Sequence, residues 1–177
     1  VDFVVFGESY LTIKELLFSL NKDIDLSSIN GICYRIEKNI LINKDRDFYD
    51  NVDDFVIIEK IWDNIDIKKY SKYFDWNGIN QQEHYIPVIA SFGCPFNCSY
   101  CTNRLRFGTK FRKRSCESVV KEIDFLVDKF SIKEIHFFDS VFNYDKQWAK
   151  EILSELSKRK DKLSIAFPHG LRIDCMD

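Results

Sequence analysis

Cys94, Cys98 and Cys101 stand in the run Gly93-Cys94-Pro95-Phe96-Asn97-Cys98-Ser99-Tyr100-Cys101, directly after the apolar run Ile86 to Phe92. A Cys-x3-Cys-x2-Cys spacing delivers three thiolates from one short loop, and thiolates are the ligands of iron–sulfur clusters. Three of them can hold three irons of a 4Fe-4S cluster and leave the fourth iron without a protein ligand, open to substrate. A purely electron-carrying cluster would want a fourth cysteine nearby, and none follows until Cys116. Disulfides are disfavoured, because six cysteines in 177 residues make no dense framework and no secretory segment is recognisable. A structural zinc site pairs two Cys or Cys/His halves. Here the second half is missing, since His84 and His136 have no ligand-like partners in the sequence.

The elements that must position this loop read as strands alternating with helices. Ile86 to Phe92 is a first strand. Ser115 can cap a helix whose apolar face is Val119, Val120, Ile123, Leu126, Val127 and Phe130. Glu134 to Phe138 is a second strand, Asp145 to Arg159 a second helix with Trp148, Ile152 and Leu156 at fourfold spacing, and Leu163 to Phe167 a third strand. That alternation predicts an α/β fold of βαβ units with a parallel sheet. Barrels of this type carry their chemistry in loops at the carboxyl ends of strands. The cysteine loop, Asp139-Ser140 and Pro168 to Arg172 fall at those ends.

Upstream, Asp2 to Phe6 reads as a continuously apolar strand covered on both faces. Thr12 with Glu15 is a capping-box signature for a helix whose apolar face is Ile13, Leu16, Leu17 and Leu20, and Gly7-Glu8-Ser9 forms the loop before it. Ile32, Tyr34 and Ile36, then Glu37-Lys38-Asn39, then Ile40 and Ile42 spell a hairpin. From Arg46 to about His84 the chain is acidic, aromatic and aperiodic. A packed linker is expected there, with Phe48, Phe55, Trp62, Tyr70, Phe74 and Trp76 seeking burial.

Composition separates two halves. Residues 1–80 carry 10 basic and 15 acidic side chains, net −5, and residues 81–177 carry 16 and 13, net +3. No stretch of about 18 apolar residues occurs, so no membrane span is expected. Six thiols without a signal peptide point to a reducing cytoplasm. The chain opens on Val1 and stops at Asp177 beside strand-like segments, and both ends read as cut from a longer protein.

Residues 85–177 resemble the first half of a radical S-adenosylmethionine core domain, a partial (β/α)6 barrel, with Cys94, Cys98 and Cys101 as cluster ligands. Residues 1–50 resemble the tail of a Rossmann-like cobalamin-binding domain and the hairpin that follows it in the cobalamin-dependent subfamily. In Val1-Asp2-Phe3-Val4-Val5-Phe6-Gly7-Glu8 we read its last strand and Gly-Glu loop, and in Leu26 to Ile32 the lead into the hairpin. The Asp-x-His-x-x-Gly segment of many cobalamin domains is not in this chain. The resemblance implies residues 1–30 as the cobalamin-domain piece, 31–84 as hairpin and linker, and 85–177 as the half barrel.

It further implies three cofactors: a 4Fe-4S cluster, S-adenosylmethionine and cobalamin. The cluster's open iron takes the amino and carboxylate groups of S-adenosylmethionine, and one electron from a reductant such as flavodoxin or ferredoxin yields a 5'-deoxyadenosyl radical. Activity on a small-molecule substrate follows, with cobalamin-dependent methylation foremost, cyclisation or rearrangement next, and a cobalamin-free enzyme of the tRNA methylthiolating kind as the alternative. A non-enzymatic metal-binding module competes with these. Tyr100 lies near the adenine or is a packing aromatic. Asp139 and Ser140 contact the methionine amino group, or Asp139 is a turn residue. Arg172 forks onto the cofactor carboxylate or makes a surface salt bridge. His169 reads as structural. The basic run Arg104 to Arg114, with Phe107 and Phe111 packed beneath, reads as a loop over an anionic ligand rather than a nucleic-acid footprint, because the net charge is near neutral. Cys33, Cys116 and Cys175 read as buried or incidental thiols.

Overall fold

The computed structural model describes residues 1–22, 24–55, 62–71, 81–82 and 85–176. The chain divides into one unit of residues 1–50 with 93–110 and a second of residues 51–92 with 111–177. The expected burial of Phe74 and Trp76 lies outside the described residues, as does that of the Phe55 side chain.

The second unit is built on three parallel strands in the order β4 (Tyr85–Val88), β7 (Glu134–Phe137) and β8 (Ser164–Ala166). Ile86 pairs with Ile135 and Ile135 with Ile165, so the apolar side chains of adjacent strands fall in rows. The helix Cys116–Phe130 starts where Ser115 accepts the Ser118 N–H at 3.2 Å, and the helix Lys146–Ser157 where Asp145 accepts that of Trp148 at 3.0 Å. Each cap satisfies a helix N–H that has no partner within the helix. Val119, Ile123 and Leu126 of one helix and Trp148, Ala149, Ile152 and Leu156 of the other are buried with Ile86, Val88, Ile135 and Phe137 in one core. The alternation expected from the sequence is thus present.

The first strand differs from expectation. It is not one run to Phe92 but β4, a two-residue break, and β5 (Ser91–Phe92), which pairs antiparallel with β6 (Arg112–Lys113). The break has a cause: the Asp139 carboxylate, just beyond β7, accepts the Ala90 N–H and the Ser91 hydroxyl.

In the first unit, β1 (Phe3–Val5), β2 (Ile32–Ile36) and β3 (Asn39–Ile42) form an antiparallel sheet in that order. The hairpin is as expected, with Glu37 in the left-handed region at φ 54°. Three other readings need correction. Val4 is 51% exposed, so β1 is not covered on both faces. The helix Ser9–Lys22 begins before Thr12, whose hydroxyl donates to Asn30 O and accepts from Arg46 Nε, so Thr12 is no cap, and Glu15 pairs with Arg46. Its buried stripe is Thr12, Leu16 and Ser19, while Ile13, Leu17 and Leu20 face outward. Around Leu16 pack Ile29, Ile32 and Tyr34. Of the linker aromatics, Trp62 is half-buried, whereas Phe48 and Tyr70 are exposed.

Candidate functional site

The cysteine segment lies in residues 93–110, an excursion whose neck only glycine allows. Gly93 sits at φ 77°, and a Cβ there would lie 2.1 Å from the Lys110 carbonyl oxygen. Gly108 sits at φ 76°, where a Cβ would meet the Phe48 ring at 2.7 Å. The Cys94 N–H donates to Gly108 O at 3.1 Å and closes the neck. Cys101 N–H donates to Cys98 O at 3.1 Å, folding Ser99 and Tyr100 into a tight turn. The helix Asn103–Phe107 follows, and Arg104 from it donates to Asn97.

All three cysteines are half-buried free thiols. Among the described residues, no group of three or more His, Cys, Asp or Glu side chains stands close enough together to hold a metal ion. In number and softness the three thiols fit a cluster with three protein ligands, and the structure presents them as separate side chains rather than as a closed cage. Tyr100, between Cys98 and Cys101, is 87% exposed.

In the second unit, residues after β7 and β8 carry the remaining candidates. Asp139 is 2% exposed, and burial raises its carboxyl from 3.8 to about 6 against the lowering effect of its bonds from Ser91 and Ala90. Its side chain is therefore spent on the β4–β5 junction. Ser140 is half-buried beside it. His169 Nδ1 lies 3.3 Å from the Asp139 carbonyl oxygen, and its ring stands edge-on to Phe138. Arg172 is held by its backbone: its N–H donates to Asn143 Oδ1 at 3.0 Å and its carbonyl accepts from Asn143 Nδ2 at 2.8 Å. Its guanidinium forks onto Asp174 at 2.9 and 2.8 Å, and that pairing holds the Asp174 carboxyl below the usual range.

The basic run is largely consumed internally. Arg114, 2% exposed, pairs with Glu122 at 2.5 Å and donates to Ile89 O and Ser118 O. Lys113 pairs with Asp145 and Lys110 with Asp50, and Arg112 is buried with its guanidinium over the Phe92 ring. Phe111 packs on Tyr144 and Trp148. A loop poised over an anionic ligand is thus not what most of these cations form. Ser91 is a position that sequence reasoning passed over, and Arg114 one that it read only as part of the basic run. Their signals were a hydroxyl inside an apolar strand and an arginine directly before a helix cap.

His136, expected to have no ligand-like partner, hydrogen-bonds Glu134 at 2.7 Å and stacks on Tyr85. Glu134 in turn accepts the N–H groups of Gln81 and Gln82. Cys116 is half-buried, and burial with nearby Glu151 and Glu155 pushes its thiol up, toward the inert protonated form.

A parallel βαβ sheet whose first strand leads in the chain to a loop with three free thiols is an α/β arrangement. Residues 88–175 match the Radical SAM superfamily, and this chain belongs to it through that domain. The chain is 33% identical over 174 residues to an uncharacterized methyltransferase of Pyrococcus horikoshii, covering 98% of this chain and 35% of that protein. It is 30% identical over 126 residues to the anaerobic magnesium-protoporphyrin IX monomethyl ester cyclase of Synechocystis, covering 71% and 23%. The fold matches OxsB, a cobalamin-dependent S-adenosylmethionine radical enzyme solved with aqua-cobalamin and S-adenosylmethionine bound, at TM-score 0.69 and 22% identity over 92% of this chain and 22% of OxsB. The chain thus spans about a third or less of these relatives.

Proposed function

We propose that the protein is a radical S-adenosylmethionine enzyme that methylates a small molecule with the help of cobalamin. The observation that carries this is the 93–110 excursion, which offers three free thiols behind a neck that only glycine permits. When bound, a reduced 4Fe-4S cluster supplies the electron that cleaves a sulfonium carbon–sulfur bond of S-adenosylmethionine and so generates a 5'-deoxyadenosyl radical.

In this reading Cys94, Cys98 and Cys101 ligate the cluster and leave one iron to the cofactor. Tyr100, open at the tip of the turn, offers its ring to the adenine. Ser140 serves the methionine amine with Asp139 behind it. Arg172, already forked on a carboxylate and backed by Asn143, exchanges Asp174 for the cofactor's carboxylate. Residues 85–177 are the first half of a partial (β/α)6 barrel, residues 31–84 the hairpin and linker, and residues 1–30 the end of a Rossmann-like cobalamin domain. No residue of this chain is assigned to cobalamin. Its place rests on the N-terminal resemblance and on the aqua-cobalamin bound by OxsB. A flavodoxin or ferredoxin in the cytoplasm is the electron donor in this proposal. Among the described residues no helix is long and apolar enough to cross a membrane.

The likeness to a cyclase supports radical ring formation as a second outcome from the same first step. Anaerobic reconstitution of the full-length protein with iron and sulfide tests the whole reading. A cluster that releases 5'-deoxyadenosine or S-adenosylhomocysteine under reduction is expected, and is lost in Cys94→Ala, Cys98→Ala and Cys101→Ala. Zinc at unit stoichiometry without iron would replace the enzyme with a structural module.

A further inference from the structure

Residues 93–110 are preceded and followed in the chain by a two-stranded stalk, β5 paired with β6: Ser91 opposite Lys113, Phe92 opposite Arg112. Both legs of that stalk are tied at the base. On the outgoing leg, the Asp139 carboxylate accepts the Ala90 N–H at 3.3 Å with one oxygen and the Ser91 hydroxyl at 2.5 Å with the other. On the returning leg, the Arg114 N–H donates to Ala90 O at 2.9 Å and its guanidinium to Ile89 O at 3.1 Å. Ser91 is followed by one residue, Phe92, before the glycine that opens the cysteine segment.

We propose that Asp139 is a positioning residue for the stem of the cluster loop: its buried carboxylate fixes Ala90 and Ser91, the residues from which the chain runs on to Cys94. The inference rests on the reading that these three cysteines hold a cluster, and it assigns the Asp139 side chain to the protein rather than to the cofactor.

Three features support it. The carboxylate is 2% exposed, so it faces protein. Its two oxygens are engaged by donors from a single dipeptide. Among the described residues no cation forms an ion pair with it. Of the charged and titratable groups around it, Arg114 is paired with Glu122, Lys113 with Asp145, and His169 meets the Asp139 carbonyl rather than the carboxylate. A buried anion held only by hydrogen bonds disfavours folding on its own account, and such groups are retained where placement matters. The raised carboxyl, at about 6, makes the clamp sensitive to mild acid, because protonation removes the charge that strengthens both hydrogen bonds to Ala90 and Ser91.

The test uses full-length protein reconstituted anaerobically, with Asp139→Asn, Asp139→Ala, Ser91→Ala and Cys94→Ala alongside wild type. Iron loss to a chelator is followed from pH 5 to 8, and binding of S-adenosylmethionine is followed by its effect on the spectrum of the reduced cluster. Asp139→Ala and Ser91→Ala are expected to lose iron about tenfold faster at pH 7.5, the scale seen when groups behind metal ligands are removed. Ser91→Ala keeps the carboxylate and serves if Asp139→Ala fails to fold. Wild type is expected to lose iron faster as the pH drops through 6, with that step absent from Asp139→Asn. Iron retention like wild type in both truncations, or the same acid step in Asp139→Asn, overturns the proposal. So does an Asp139→Ala protein that keeps its cluster and loses only S-adenosylmethionine, since the carboxylate would then be a cofactor contact. If Cys94→Ala binds the cluster as well as wild type, the cluster assignment itself falls instead.

Discussion

Two helices of similar length fared differently between sequence and structure. The helix Cys116–Phe130 buries Val119, Ile123 and Leu126 and starts at the serine that its sequence nominates as cap. The helix Ser9–Lys22 buries Thr12, Leu16 and Ser19, and leaves outward three of the four leucine and isoleucine side chains that its spacing nominated. In the first, apolar residues occupy one stripe and polar residues the rest, so periodicity and capping agree on one orientation. In the second, Ile13, Leu16, Leu17, Phe18 and Leu20 crowd more than one face, and period alone cannot choose among them. The hydrogen bonds decide: Thr12 and Glu15 are held by Arg46, 34 and 31 residues further on. A long-range polar contact overrode a local pattern.

The largest effect should come from the buried ion pair in the 116–130 helix. Glu122 is the acidic partner of a 2% exposed Arg114 guanidinium and also accepts from Trp62 Nε1. Glu122→Ala strands a buried cation and is expected to cost about 3–5 kcal/mol in urea unfolding. The equivalent cut in the 9–22 helix, Glu15→Ala, removes a half-exposed partner of Arg46 and should cost less than about 1 kcal/mol. Equal losses would erase the distinction between the two regions.

Next comes Asp139, through pH. Its carboxyl titrates near 6 in the folded chain against 3.8 when exposed, so between those values the folded state holds a proton that the unfolded state has released. Stability contributed by this group is full below about 4 and is lost as pH rises through 6, by on the order of 3 kcal/mol. Other groups titrate in the same range, so the readout is the difference between wild type and Asp139→Asn in urea midpoints at pH 4.5 and 7.5. Wild type should weaken relative to the variant on going to the higher pH. A constant difference would mean that the carboxylate is solvated after all.

What could be read in advance follows the same division. The parallel sheet, both capped helices and the hairpin were legible because each is written in contiguous residues: Ser115 before its apolar stripe, Asp145 three before Trp148, Glu37-Lys38 between alternating isoleucines. The break after β4 was not legible. It depends on a carboxylate 49 residues along the chain from the N–H it accepts, and nothing in Ile86 to Phe92 announces it beyond the single hydroxyl of Ser91. The fate of the basic run was hidden for the same reason, since the anions that consume Lys110, Lys113 and Arg114 lie 60, 32 and 8 residues away. The cysteine spacing was legible as chemistry, whereas the neck that delivers it needed Gly93 against Lys110 and Gly108 against Phe48.

The smallest expected effect, that of Leu17→Ala, gives the sharpest test of the misread face when set against its neighbour Leu16. Leu16 is 7% exposed and packs with Ile29, Ile32 and Tyr34, and its neighbour Leu17 is 59% exposed. Deleting a buried leucine side chain removes its transfer free energy and leaves a cavity, so Leu16→Ala should cost about 2–5 kcal/mol. Deleting an exposed one removes little that was out of water, and Leu17→Ala should fall within about 0.5 kcal/mol of wild type. The two positions share residue type, helix and helix propensity, so the difference between their urea midpoints isolates burial alone. If Leu17→Ala proves as damaging as Leu16→Ala, the outward face is covered in solution and the leucine-rich stripe read from the spacing is a second packing surface.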